Sequence, residues 1–195
     1  MDLLFMLKLI QTADFWLFEL INQKTSNSVA DNILPFFRAP LFWAPLYIFL
    51  LLTVILQKPK QALLWSISWI TTIATTDLIS SRLIKPFFGR LRPCNNPELQ
   101  DSIRILVDHC GQNGSFTSSH AANHFGMAMF FFLTIKWKNN KLISLFFVWA
   151  ALVSYAQVYV GVHFPTDVIG GGILGLIVGK ISGSVHNHFN QKLEF

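Results

Sequence analysis

With 195 residues, the chain has the length of one domain. Only 13% of it is charged and 52% is hydrophobic, including 19 Phe and 6 Trp, whereas soluble domains carry about 25% charged residues. That composition excludes an ordinary water-soluble globule, and the net charge of +5 belongs to a membrane topology rather than to nucleic-acid binding.

The first element, Leu3 to Ile21, places Lys8, Gln11, Thr12, Glu19 and the following Asn22 on one stripe at the helical period, with Leu, Phe, Met and Trp over the rest. This predicts an amphipathic helix within an N-terminal segment, residues 1–38, lying in the interface or packed on a bundle. A secretory signal is the weaker alternative, because Asp14 and Glu19 interrupt the apolar run and no small-residue cleavage site follows. Long apolar runs come next. Ala39–Gln57 has no charge between Arg38 and Lys58, and Gln61–Ser81 holds one acid, Asp77. Ser119–Ile135 and Leu142–Val162 are free of Asp, Glu, Lys and Arg. Val168–Val185 is broken only by Lys180, whose long stem can snorkel to an interface. A helix needs about 20 apolar residues to cross the hydrocarbon core. The runs therefore predict an all-α integral-membrane bundle of about five transmembrane helices, one domain over residues 1–195. His186 and His188 read as solvated residues of the tail.

Successive crossings put the connections on alternating sides. One side collects Lys58, Lys60, the Lys136–Lys141 turn with Lys138, then Lys180 and Lys192, against a single acid, Glu194. Lysine-rich short loops stay in the cytoplasm, which sends the loop 82–118 and the turn at His163 outward. Cys94 and Cys110 both lie in that loop. An oxidising compartment permits a disulfide between them, closing a loop of about 15 residues and contributing about 3 kcal/mol. Two free thiols are the alternative, and adjacent His109–Cys110 is unusual spacing for a zinc site there.

Three clusters on the outward side carry chemistry. Lys85 to Pro93 ends the second span at Pro86 and Gly89, and Arg82, Lys85, Arg90 and Arg92 stand where a basic flank is disfavoured, as an anion clamp would. Ser115 to His120 is a hydroxyl-rich helix start, where free N–H groups and the dipole face whatever lies above. His163 and Asp167 flank the turn between the last two spans, at a spacing that lets the carboxylate fix the imidazole tautomer and free the other nitrogen.

These residues resemble the type 2 phosphatidic acid phosphatase superfamily, whose pattern is K-x6-R-P, then P-S-G-H, then S-R-x5-H-x3-D. Here the sequence gives Lys85 with Arg92-Pro93, then Ser118 and His120, then His163 with Asp167, in the same order. Thr117 and Ser119 stand where the family has Pro and Gly, and Ala156-Gln157 stand where it has Ser-Arg. Gln157 keeps hydrogen-bond donors but lacks the positive charge, which Arg90 or Arg82 would have to replace.

The resemblance implies that His163 attacks phosphorus to form a phosphohistidine while Asp167 orients it. It implies that His120 protonates the leaving oxygen and then activates water. Lys85, Arg92, Ser118, Ser119 and Gln157 would hold the phosphoryl oxygens, with no metal and no cofactor. The substrate would be a membrane lipid: phosphatidic acid, phosphatidylglycerol phosphate or a polyprenyl diphosphate. The short chain resembles the undecaprenyl diphosphate phosphatase branch, which implies a bacterial inner membrane with the site on its extracytoplasmic side. Two other readings compete. A metal-dependent membrane hydrolase would use His120, His124, His163 and Asp167, although nearby cations repel a divalent ion. A non-catalytic membrane protein would bind lipid head groups and use Gly171, Gly175 and Gly179 only for helix packing.

Overall fold

The computed structural model describes residues 2–136, 140–190 and 193–194, and these form a helical bundle. In chain order the helices are α1 (Leu3–Glu19), α2 (Ser28–Phe37), α3 (Ala44–Gln57), α4 (Pro59–Leu78), a short α5 (Lys85–Phe88), α6 (Ser119–Thr134), α7 (Asn140–Tyr159) and α8 (Pro165–Phe189). Wider π-helical turns extend α1 through Lys24 and α4 through Ile84. Residues 137–139 of the expected lysine turn lie outside the described residues.

Among the described residues, four stretches are long and apolar enough to cross a membrane: Pro40–Gln57, Pro59–Leu99, Leu142–Tyr159 and Pro165–Phe189. The expected third span is α6, and its 16 residues fall below that length. At about 1.5 Å per residue they reach only ~24 Å, short of the ~30 Å hydrocarbon core. The reason is its position. Ala121, Ala122, Met127, Ala128, Phe130 and Phe131 of α6 are buried beneath α4, α7 and α8, so this helix is the axis of the bundle. Ile173, Ile177, Ile181 and Val185 of α8, with Leu63, Ile67 and Ile70 of α4, face outward instead. Helices of that kind belong in lipid.

The α6–α8 seam is a backbone contact. A Cβ at Gly171, Gly175 or Gly179 would strike the carbonyl oxygens of Ser118, Ala122 and Gly126, so a four-residue glycine repeat lets the two helices touch. Near the opposite end of α8 His186 is buried, its Nδ1 3.1 Å from Ser68 Oγ and its ring beside Phe130. The expectation of a solvated His186 is corrected: α8 runs several residues past the predicted span, while His188 is exposed as expected.

Helix α1 docks through Asp14, Phe18 and Asn22, all buried, and leaves Leu4, Phe5, Leu9, Ile10 and Trp16 exposed. Asn22 therefore departs from the polar stripe on which periodicity placed it. Its amide donates to the carbonyls of Arg104 and Tyr159, both at 2.8 Å, and accepts from Arg104 N–H at 2.9 Å. The π-helical turn at Leu20–Lys24 re-aims the side chain inward. Arg104 also pairs with Asp31 of α2 at 2.5 Å, and Tyr159 donates to the same carboxylate at 2.6 Å. The Arg104 and Tyr159 hydrogen bonds hold Asp31 below the usual carboxylate range. Together these contacts tie α1, α2, the long loop and the end of α7 into one cap on the bundle.

Candidate active site

The first motif is placed by a change of helical pitch. In the π-helical turn Ile79–Ile84, buried Ser80 Oγ lies 3.1 Å from Thr117 Oγ1 and 3.0 Å from Ser119 Oγ, pinning the end of α4 to the start of α6. Lys85 follows, 5% exposed. Gly89, at φ 55°, reverses the chain so that Arg92 comes back over the same space. Arg92 Nε donates to Asn113 O at 3.0 Å. Cys94 and Cys110 are joined by a disulfide with a Cα–Cα distance of 6.1 Å, next to this strap.

The second motif starts α6. Ser118 is fully buried, its hydroxyl capping Ala121 N–H at 3.4 Å and its own N–H donating to Asp167 O at 2.9 Å. Ser119, one residue on, is the hydroxyl that lines the cavity, with His120 beside it. His124, one turn deeper, has Nδ1 2.8 Å from His120 O and its ring 4.7 Å from Trp149. It backs His120 and does not line that cavity.

The third motif follows Gly161, whose φ of +88° and contact with Arg104 O leave no room for a side chain. His163 comes next, 2% exposed. Its Nδ1 lies 3.5 Å from Asp167 Oδ2 and 3.4 Å from Ser115 Oγ, and Arg92 Nη1 lies 3.2 Å from its Nε2. The short Ser115–Asp167 bond, at 2.5 Å, places the hydroxyl between ring and carboxylate. Asp167 Oδ2 also accepts from Phe164 N–H at 2.8 Å, so the residue that caps α8 also orients the imidazole. Burial pushes the His163 pKa down to about 4, helped by Arg92 and Lys85 and opposed by Asp167. Cations and carboxylate pull in opposite directions, and burial decides the sign. That shift favours the neutral ring, and because Arg92 can only donate, the Nε2 facing it is the acceptor.

Arg90 serves this carboxylate rather than the cavity. Its guanidinium bridges Asp167 Oδ1 at 2.8 Å and Asp14 Oδ2 at 2.5 Å and lies 4.2 Å from the centre of the Phe164 ring. Thr166 completes the frame, donating from its backbone N–H to Asp14 at 2.8 Å. Arg90 is thus unavailable to replace the charge missing at Gln157, as the sequence had allowed. Sequence reasoning also missed Asp14, visible only as the acid that interrupts an apolar helix, and gave Ser115 no role beyond its hydroxyl cluster.

A cavity of about 850 Å³ gathers Arg38, Lys85, Arg92, Ser119, His120, Gln157 and His163, with Arg82 and His109 toward its rim. Among the described residues, Asp77 is its one lining carboxylate. Gln157 is fully buried, and among the described residues both its amide oxygen and nitrogen lack a hydrogen-bond partner. Among the described residues no three His, Cys, Asp or Glu side chains converge as a metal site. The lining is built for an anion: several fixed cations, an unsatisfied amide, and a helix start.

Fold and site together define a helical membrane protein with a cation-lined cavity beside a buried imidazole. Residues 63–190 match the model of the PAP2 superfamily, and the chain belongs to that superfamily. It is 34% identical over 147 residues to the lipid A 4'-phosphatase of Porphyromonas gingivalis, covering 74% of this chain and 61% of that protein. To the lipid A 4'-phosphatase of Bacteroides thetaiotaomicron it is 33% identical over 168 residues, covering 84% of this chain and 73% of that protein. Its fold matches the transmembrane PAP2-type phosphatidylglycerolphosphate phosphatase of Bacillus subtilis with a TM-score of 0.68 and 25% identity, over 93% of this chain and 88% of that one.

Proposed function

We propose that this protein is a metal-independent phosphatase for a membrane lipid phosphate or diphosphate, working through a phosphohistidine at His163. The observation that carries the reading is the His163 ring. Its Nδ1 faces a carboxylate, and its Nε2 looks into a cavity where cations outnumber acids. An entering phosphoryl oxygen takes over the hydrogen bond from Arg92 and leaves the Nε2 lone pair facing phosphorus. The Nε2–P bond forms as the bond from phosphorus to the lipid oxygen breaks, and His120 gives that oxygen a proton. Asp167 balances the positive charge that then rests on His163. Water attacks phosphorus next, His120 takes its proton, the N–P bond breaks, and phosphate leaves with His163 neutral again. Lys85, Arg92, Ser119 and the first N–H groups of α6 hold the oxygens, because phosphoryl transfer depends mainly on positioning and charge stabilisation. Buried Ser118 shapes that helix start rather than touching phosphate.

A second, apolar pocket of about 450 Å³ supports a lipid leaving group. It is lined by Tyr47, Trp69, Ile70 and Met127 and shares Asp77, Ser119 and His120 with the polar cavity. An acyl or prenyl chain seated there brings its ester oxygen to His120. The similarity to two lipid A 4'-phosphatases makes a lipid A 4'-phosphate the first substrate to test. Phosphatidylglycerol phosphate, phosphatidic acid and a polyprenyl diphosphate follow. The lysine distribution and the Cys94–Cys110 bridge support a site on the extracytoplasmic face of a bacterial inner membrane. Phosphate release from these four lipids, in detergent and in excess chelator, tests the reading. Turnover that survives chelator and disappears in His163→Ala is expected. A requirement for added divalent metal, or a His163→Ala variant within tenfold of wild type, would overturn it.

A further inference from the structure

The motif cations do not complete the cradle. Gln157 occupies the place where the superfamily pattern has an arginine, and it reaches the cavity with both amide atoms unpaired and no charge. Arg82 is exposed at the rim, and Arg90 is bound to Asp14 and Asp167. A different guanidinium reaches the cavity from outside the motifs. Arg38 closes α2, lines the same cavity as Gln157, His120 and His163, and has its main chain against the His120 ring. Residue 38 lies outside the 63–190 stretch that matches the superfamily.

Three features separate Arg38 from an incidental basic residue. Its Nε is buried without a hydrogen-bond partner among the described residues. Arg90 and Arg104 are held by carboxylates, but Arg38 makes no ion pair among the described residues. Arg38 is only half-buried, but a guanidinium whose Nε is withdrawn from water without a partner is costly, and the cost is relieved when an anion enters. Its base is also fixed: Asp31 of α2 is clamped by Arg104 and Tyr159, and Trp43 Nε1 donates to Phe37 O at 2.7 Å, one residue before Arg38. A cation held at both ends of its helix is preorganised for a defined position.

We propose that Arg38 is a phosphate-binding catalytic residue, supplying from the N-terminal segment the positive charge that Gln157 lacks. The inference rests on the phosphatase reading above. In the transition state the charge spreads over three equatorial oxygens. Lys85 and Arg92 come from the outer loop, while Arg38 comes from the end of α2 and Gln157 donates its amide.

The test uses the full chain in detergent, with orthophosphate binding measured by calorimetry and turnover measured on phosphatidic acid. Arg38→Gln should weaken orthophosphate binding at least tenfold and lower kcat by about 10²–10³-fold, as loss of one transition-state donor does. The double variant Arg38→Gln with Gln157→Arg should recover at least tenfold of both, because the charge returns to the same cavity from another lining position. This rescue also separates lost charge from lost folding. Binding by Arg38→Gln within threefold of wild type, or a double variant no better than Arg38→Gln alone, would overturn the assignment. His163→Ala decides the phosphatase reading separately, since it should stop turnover while leaving orthophosphate binding largely in place.

Discussion

The stretch from Lys85 to Asp167 and the N-terminal segment 1–38 meet at one cavity, and they reach it by different physics. In the first, each site residue is placed by a device a few residues long: a π-helical turn and Gly89 for Lys85 and Arg92, an N-cap for Ser119 and His120, Gly161 and a carboxylate cap for His163. In the second, every contribution crosses the fold. Asp14 reaches Arg90 and Thr166, Asn22 reaches Arg104 and Tyr159, and Arg38 enters the cavity wall. Local geometry places the atoms proposed to react, while distant side chains set their charge balance. A short motif captures the first kind of information and is blind to the second.

The largest expected effect tests the local half. His163→Ala should remove all turnover and any acid-labile phosphoprotein. Phosphoprotein formed by that variant would remove His163 as the nucleophile. An intermediate effect tests the distant half. Asp14→Asn leaves Arg90 with Asp167 as its one carboxylate, so Arg90 should draw that charge away from His163. The ring, already held near pKa 4, should then lose protons more readily. The sign follows directly: less negative charge at the ring lowers the pKa further. The acid limb of kcat/KM, where protonation of Nε2 removes the nucleophile, should therefore move to lower pH, with kcat falling about tenfold through lost orientation. An unmoved limb would reduce Asp14 to scaffolding. The smallest effect falls on stability. Asn22→Ala leaves buried backbone groups of Arg104 and Tyr159 without partners, at about 1–3 kcal/mol. Thermal melting in detergent should fall by several degrees while kcat stays within about twofold, because Asn22 touches no reacting group. A larger loss of kcat than of stability would make the cap a functional part.

Much of this was legible in the sequence because membrane helices and motif spacing are one-dimensional signals. His120, His163, Asp167, Lys85 and Arg92 needed only order and separation to be singled out. The errors share one cause: a three-dimensional environment replaced a local rule. Asn22 follows helical periodicity until the π-helical turn rotates it inward. His186 looks like tail until α8 continues past it. Arg90 belongs to a basic cluster by composition, yet two carboxylates claim it. Arg38 read as the boundary of a span, and nothing in its neighbours along the chain reports the cavity it faces.

The glycine seam between α6 and α8 has a mechanical consequence. Where backbones touch, no side-chain layer remains to slide, and the close-packed pair moves as a single body. His120 rides near the start of α6, and Asp167 on the first turn of α8 grips the His163 ring, with the Ser118 N–H to Asp167 carbonyl bond joining the two helix ends. In the proposed mechanism the distance between His120 and His163 is therefore set when the chain folds and has nothing to assemble when a lipid arrives. Whatever motion paces turnover must lie elsewhere, in the walls through which a lipid enters and phosphate departs. Under the proposed mechanism those walls are the apolar pocket between α3, α4 and α6 and the disulfide-strapped loop that carries Arg92.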